Sequence, residues 1–190
     1  MLRKTIKNIA LLDLQNFTAT ELREIKKIES CAMLLIPKNA SDEWKNAYAK
    51  ITIRNVASII EVSYGKYSVL NGMVVLNDKN VSDDCLYIVN GIVILETVEK
   101  IPDLCVNGLL LKRKKSRYEM TRMNGRSVEV EDNVVIKPYP NTIEIDGDTV
   151  RSFDYNTLVA AGNNVDIVDD VTEQMLSDKK ITFAAGNEVK

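Results

Sequence analysis

The chain contains no histidine. That absence removes Ser-His-Asp and Cys-His nucleophile systems, His-ligated zinc and the usual general base together. Cysteine is scarce: Cys31, Cys85 and Cys105 show no metal-binding spacing, and an odd number argues against a disulfide framework. Aromatics make up 6% of the residues, a low share for a base-stacking or carbohydrate-binding surface. Neither sign of charge dominates. With 25 basic and 27 acidic residues the net charge is −2, so nucleic acid and anionic membrane exert no global pull. Long hydrophobic runs are also missing: no stretch approaches the ~18 residues of a membrane span. The basic N-terminus has an apolar core only at residues 9–12, ended by Asp13, which is shorter than a signal-peptide core. The reading is a soluble, cytoplasmic protein with buried, reduced thiols. No linker or low-complexity segment interrupts it, and a hydrophobic content of 45% is that of a folded chain.

What is present is a repeat. Four of the eight glycines follow an asparagine: Asn71-Gly72, Asn90-Gly91, Asn107-Gly108 and Asn124-Gly125, at steps of 19, 17 and 17 residues. Each pair sits in a similar phrase: YSVLNGMVVL, LYIVNGIVIL, LCVNGLLLK and TRMNGRSVEV. A fixed period of this size marks repeat architecture, in which each unit buries its apolar face against its neighbours. Upstream, Asn55 stands sixteen residues before Asn71, with Val56 in the glycine position, and Ser30 stands 25 residues before Asn55. Downstream, Asp146-Gly147 is followed by two Ala-Ala-Gly-Asn phrases at residues 160–163 and 184–187. Helices are expected at residues 18–28, capped by Thr18 with Glu21 three residues on; after Ser41, with Trp44, Ala47, Tyr48 and Ile51 on one face; and after Thr172. KPYPN at 137–141 reads as a rigid loop.

Asn-Gly between β-prone residues is also the strongest hairpin signal. Two architectures therefore compete: a meander of Asn-Gly β-hairpins, or a β-solenoid in which each pair is a corner or bend. The steady period favours the solenoid. So do the continuous apolar runs MVVL, IVIL and LLLK, which suit strands buried on both faces. Val75, Ile94 and Leu110 are expected to be buried. The fold class is thus mainly β with a few short helices, a β-solenoid of roughly eight coils. Residues 1–190 form a single elongated repeat domain, with 1–27 as an N-terminal cap and 28–190 as repeats. The phrases IVNGIVIL and CVNGLLLK resemble the repeats of uncharacterised bacterial solenoid proteins of leucine-rich-repeat or β-helix type. No activity follows from that likeness.

Candidate sites are few. Asn55, Asn71, Asn90, Asn107 and Asn124 read as a structural ladder of stacked side chains. Lys112, Arg113, Lys114, Lys115 and Arg117 form the one notable charge cluster, a polyanion patch or a solvated loop. Asp166, Asp169, Asp170 and Glu173 read as helix-start charge rather than a metal site. No cofactor and no metal is expected. The leading functional reading is a non-catalytic structural or protein-interaction module. It would bind an unknown protein partner or self-associate through a C-terminal edge that invites strand pairing. The alternative is a polyanion-binding scaffold through residues 112–117. A carboxylate-based β-helix enzyme is a third reading, and it is disfavoured because neither long inserted loops nor an aromatic-rich cleft is evident. Nucleic acid is not an expected partner.

Overall fold

The computed structural model describes residues 4–63 and 65–190. The protein is mainly β, with 55% of residues in strands and 13% in short helices. It divides into two compact units, Met1–Tyr67 and Ser68–Lys190.

The first unit is a parallel sheet of β1 (Lys4–Asp13), β2 (Ile25–Pro37) and β3 (Thr52–Val62), in that spatial order. α1 (Ala19–Arg23) and α2 (Asp42–Tyr48) fill the two crossovers. Thr18 and Glu21 form a reciprocal capping box at the start of α1, and the Ser41 hydroxyl accepts the Trp44 N–H at the start of α2. Trp44 is buried, donates its indole N–H to the Phe17 carbonyl at 2.9 Å and stacks on Tyr48 at 5.1 Å. The core comprises Leu14, Leu22, Ile25, Ile28, Cys31, Leu34, Trp44, Ala47 and Ile51. One expectation changes here. The helix at 18–28 ends at Arg23, because Ile25 and Ile28 enter a ladder with β1 and β3 that overrides local helical spacing. Residues 4–13 form an end strand of the sheet.

The second unit begins with a four-stranded sheet in chain order: β4 (Tyr67–Asn77), β5 (Leu86–Glu96), β6 (Asp103–Arg113) and β7 (Glu119–Val130). β5, β6 and β7 run parallel, and Asn90-Gly91, Asn107-Gly108 and Asn124-Gly125 lie opposite one another in the register. An Asn-Gly hairpin would join antiparallel neighbours; these pairs lie inside parallel strands, so the hairpin meander does not describe them. The strands must also bend. Eleven residues of straight strand cover ~36 Å. The connection at 97–102 spans at most ~21 Å. The chain returns in register because each strand turns at its glycine, with φ of +136° at Gly91 and Gly108 and +139° at Gly125.

This bend gives β5 and β6 two apolar faces. Tyr87, Val89, Val93, Leu95, Leu104, Val106 and Leu110 pack with Leu76 and Val81 on one side. Ile92, Ile94, Leu109 and Leu111 pack on the other side against Val130, Leu158, Ala160 and Ala184. Ile94 and Leu110 are buried as expected, but Val75 is 40% exposed. The reason is positional: none of the residues in the second cluster comes from β4.

The covering residues belong to a second sheet, β8 (Val135–Tyr139), β10 (Thr157–Ala161) and β12 (Thr182–Ala185), in spatial order β8-β10-β12. A companion sheet holds β9 (Ile143–Ile145), β11 (Asn164–Ile167) and β13 (Glu188–Val189), again parallel. α3 (Gly147–Ser152) and α4 (Glu173–Lys179) lie between successive rungs, and Asp146 and Thr172 cap them. Ile145, Val150, Phe153, Val159, Ala161, Val165, Ile181 and Ala185 form the core they enclose. The stretch 137–141, expected as a loop, supplies the end of β8. The Val135 N–H donates to the Asn156 carbonyl and the Tyr139 carbonyl accepts from Gly162, so odd residues face β10. Pro138 faces away, where its missing N–H costs no ladder bond.

Candidate functional site: an asparagine-glycine groove

The bends of the two sheets face each other across a groove of about 410 Å³. One wall is Asn90-Gly91, Asn107-Gly108 and Asn124-Gly125; the other is Pro140, Gly162-Asn163 and Gly186-Asn187. Each wall is made of stacked backbone. A Cβ on Gly91, Gly108 or Gly125 would overlap the carbonyl oxygen of the glycine one rung earlier, and the strand bend places each of them at positive φ. Gly162 and Gly186 meet the carbonyls of Pro140 and Gly162 in the same way. Asparagine side chains then tie rung to rung. The Asn90 carboxamide donates to Asn71 Oδ1 at 2.9 Å, and Asn107 donates to Asn90 Oδ1 at 2.8 Å. On the other wall the tie runs through backbone: the Asn163 N–H donates to the Asn141 carbonyl at 3.3 Å and the Asn187 N–H to the Asn163 carbonyl at 2.9 Å.

Of the five asparagines read as one ladder, hydrogen bonds join Asn71, Asn90 and Asn107, and Asn124 is in register with Asn107. Asn55 belongs to the first unit. It sits at φ +51°, between register pairs that place it level with Ser30 at φ +54° and Asn8 at φ +57°. There the left-handed residue is itself polar, whereas in the second unit it is the glycine after the asparagine.

None of the groove's lining residues titrates. Carboxamides and glycine backbone can accept and donate hydrogen bonds to a neutral polar group; they supply no nucleophile, acid or base.

The basic run is held in cross-rung ion pairs. Lys112 meets Glu129 at 3.4 Å, Arg113 meets Glu96 at 3.5 Å, Lys114 meets Glu131 at 3.3 Å and Lys115 meets Asp132 at 3.8 Å. Arg113 also donates to the carbonyls of Glu131 and Val134 at 2.7 and 3.0 Å. The Lys112 ammonium lies 5.7 Å from the Tyr118 ring, and that neighbour pushes its pKa up. The Arg117 backbone N–H donates to the Thr97 carbonyl. Four carboxylates thus offset the field of this run where a polyanion would meet it.

In the acidic cluster near α4, Asp170 accepts the Gly147 N–H at 3.1 Å and Glu173 lies in the first turn of α4, where the cap is Thr172, whose hydroxyl accepts the Met175 N–H at 3.2 Å. Among the described residues no group of three His, Cys, Asp or Glu is placed to hold a metal ion. Cys31 and Cys105 are buried and Cys85 is partly buried, no disulfide joins them, and burial pushes the Cys105 thiol up.

Two features have no counterpart in the sequence reading. One is the opposing wall of the groove. The Ala-Ala-Gly-Asn phrases signal a repeat, but nothing in them states which surface they face. The other is a pair of loop staples. Asp78 accepts the N–H groups of Val98, Glu99 and Lys100 at 3.0–3.2 Å, which holds its carboxyl below the usual range, and Asp83 accepts that of Ile101 at 2.5 Å. An Asp at a fixed offset before each return loop would be the signal, and it occurs here only once.

Compared with known proteins, the chain matches no family model, no curated protein and no solved structure. No helix among the described residues is long and apolar enough to cross a membrane.

Proposed function

We propose that this protein is a β-solenoid that acts as a non-catalytic structural or protein-interaction module. The observation that carries the reading is the one-to-one register of Asn90-Gly91, Asn107-Gly108 and Asn124-Gly125 across parallel strands, tied by carboxamide bonds. Stacked turns of this kind offer long, regular surfaces and sheet edges, which suit docking of other chains. The chemistry of the groove supports the same reading, since carboxamides and glycines recognise but do not transform. The bacterial leucine-rich or β-helical repeats remain the style it resembles, and the cytoplasm is the compartment proposed. The polyanion reading is not favoured, because Lys112, Arg113, Lys114 and Lys115 each lie beside a carboxylate.

The architecture is tested by removing one whole turn, residues 97–113, which spans one period from the end of β5 to the end of β6. Equivalent stacked turns tolerate that loss. The expected result is a cooperatively unfolding β protein with unchanged circular dichroism per residue. A chain that collapses to an unfolded or molten state would overturn the solenoid reading.

A further inference from the structure

The two face-packed sheets of the second unit have unequal numbers of rungs. The first has four, β4 to β7, and the second has three, β8, β10 and β12. The shared core draws on β5, β6 and β7 from the first and on β8, β10 and β12 from the second. The groove repeats the count: it includes the Asn-Gly pairs of β5, β6 and β7 and omits Asn71-Gly72 of β4. β7 leads into β8 through a short turn, so β8 lies at the β7 end and β12 at the β5 end. β4 is therefore the rung with no counterpart.

Its outward face is apolar all the same. The phrase NGMVVL aligns with NGIVIL through the Asn71–Asn90 bond, which puts Met73 in line with Ile92 and Val75 in line with Ile94. Ile92 and Ile94 are 0% and 7% exposed, whereas Met73 and Val75 are 46% and 40% exposed. The covered face continues for one rung beyond its cover. β12, next to the gap, is the end strand of its sheet among the described residues.

We infer that Met73 and Val75 form a docking site for one extended strand from a partner protein, added beside β12 as a fourth rung. This rests on reading the protein as a stacked interaction module and names the surface that does the binding. The existing rungs define the occupant. β10 presents Leu158 and Ala160 at alternate positions toward the first sheet, β8 presents Ile136 and β12 presents Ala184. The rungs at β10 and β12 each continue into a glycine packed on the preceding carbonyl, at Gly162 and Gly186. The partner segment is therefore an uncharged strand with alternating small apolar residues, followed by glycine. A second folded copy does not fit. In any copy β8, β10 and β12 are already covered by rungs of that copy's first sheet, and offering one of them beside β12 would drive such a rung onto β4. Strand addition of this type draws affinity from main-chain bonds and specificity from alternate side chains.

The test uses the full chain and a fluorescein-labelled peptide carrying the β10 rung, NTLVAAGNNVDI, residues 156–167. Fluorescence anisotropy should rise saturably, with half-saturation in the micromolar range. Met73→Asp and Val75→Asp, at exposed positions that leave the fold intact by circular dichroism, should each weaken binding at least tenfold. A peptide with Ala160→Asp should not bind. The chain lacking residues 97–113 adds a second readout: three rungs then face three, Met73 and Val75 are covered, and the peptide should no longer bind although the protein is folded. Absence of saturable binding by the intact chain, or equal binding by the Asp variants, overturns the docking site while leaving the solenoid standing. Unfolding of the deleted chain overturns the solenoid, and the Asp variants still decide the docking site.

Discussion

Replacing Gly108 by alanine perturbs the stack at its centre. Gly108 sits at φ +136°, and an added Cβ would overlap the Gly91 carbonyl one rung away. Two costs follow. A non-glycine residue held in a sparsely populated backbone region costs about 1–3 kcal/mol. A methyl forced into close-packed surroundings costs a further ~1–3 kcal/mol. The sum, roughly 2–6 kcal/mol, is a large share of the ~5–15 kcal/mol that holds a typical domain together. Gly72 supplies the control. Its φ is +84°, yet a Cβ there meets nothing within 4 Å. Gly72→Ala should therefore show the backbone cost alone, about 1–3 kcal/mol. Urea denaturation followed by circular dichroism gives both values from shifts in midpoint at constant slope. Gly108→Ala should be the more destabilising of the two by about 1–3 kcal/mol. Equal midpoints for the two variants would refute the claim that glycine is required there by contact between successive turns.

Three further outcomes are expected. Ile94→Ala and Leu110→Ala, at 7% and 0% exposure, should each cost about 2–5 kcal/mol, while Val75→Ala at 40% should cost far less; similar midpoint shifts for all three would contradict the layer assignment. Stability should fall in acid, because the backbone N–H groups of the 98–100 loop depress the carboxyl of Asp78, and the Thr149 side chain together with its backbone N–H depresses that of Asp146. Their contribution is present above the unfolded value of ~3.9 and is lost as pH drops through the lower folded values, so Asp78→Asn should flatten part of the acid limb of a stability-against-pH curve, and an unchanged limb would count against the staple. On heparin the protein should elute below about 0.15 M salt, since the 112–115 side chains are paired with carboxylates; retention to higher salt that Lys114→Ala and Lys115→Ala abolish would restore the polyanion reading.

The periodic asparagines made much of the second unit readable. A 17-residue step between similar phrases places Asn90 opposite Asn107 if strands stack in parallel, and the register does so. The apolar runs after Gly91 and Gly108 correctly signalled strands covered on both faces. Other elements were hidden by competing physics. Ile25 and Ile28 have helical spacing, but β1 and β3 recruit them into a ladder, and no local signal reports a partner that distant in sequence. Pro138 looked like a strand breaker, yet an edge strand has one side on which a proline is harmless. Val75 carries the same phrase as Ile94 and differs only in lacking a covering rung. The groove was invisible for a similar reason: each wall is a repeat legible by itself, and their facing is a property of tertiary packing.

The most direct measurement is a set of inter-strand amide nuclear Overhauser effects in deuterated protein. Parallel stacked turns require contacts at a constant difference in residue number. Val93 should see Leu110, Ile94 should see Leu111, and Leu110 should see Ser127. Contacts at a constant sum of residue numbers around each Asn-Gly pair, the mark of hairpins, would contradict the account.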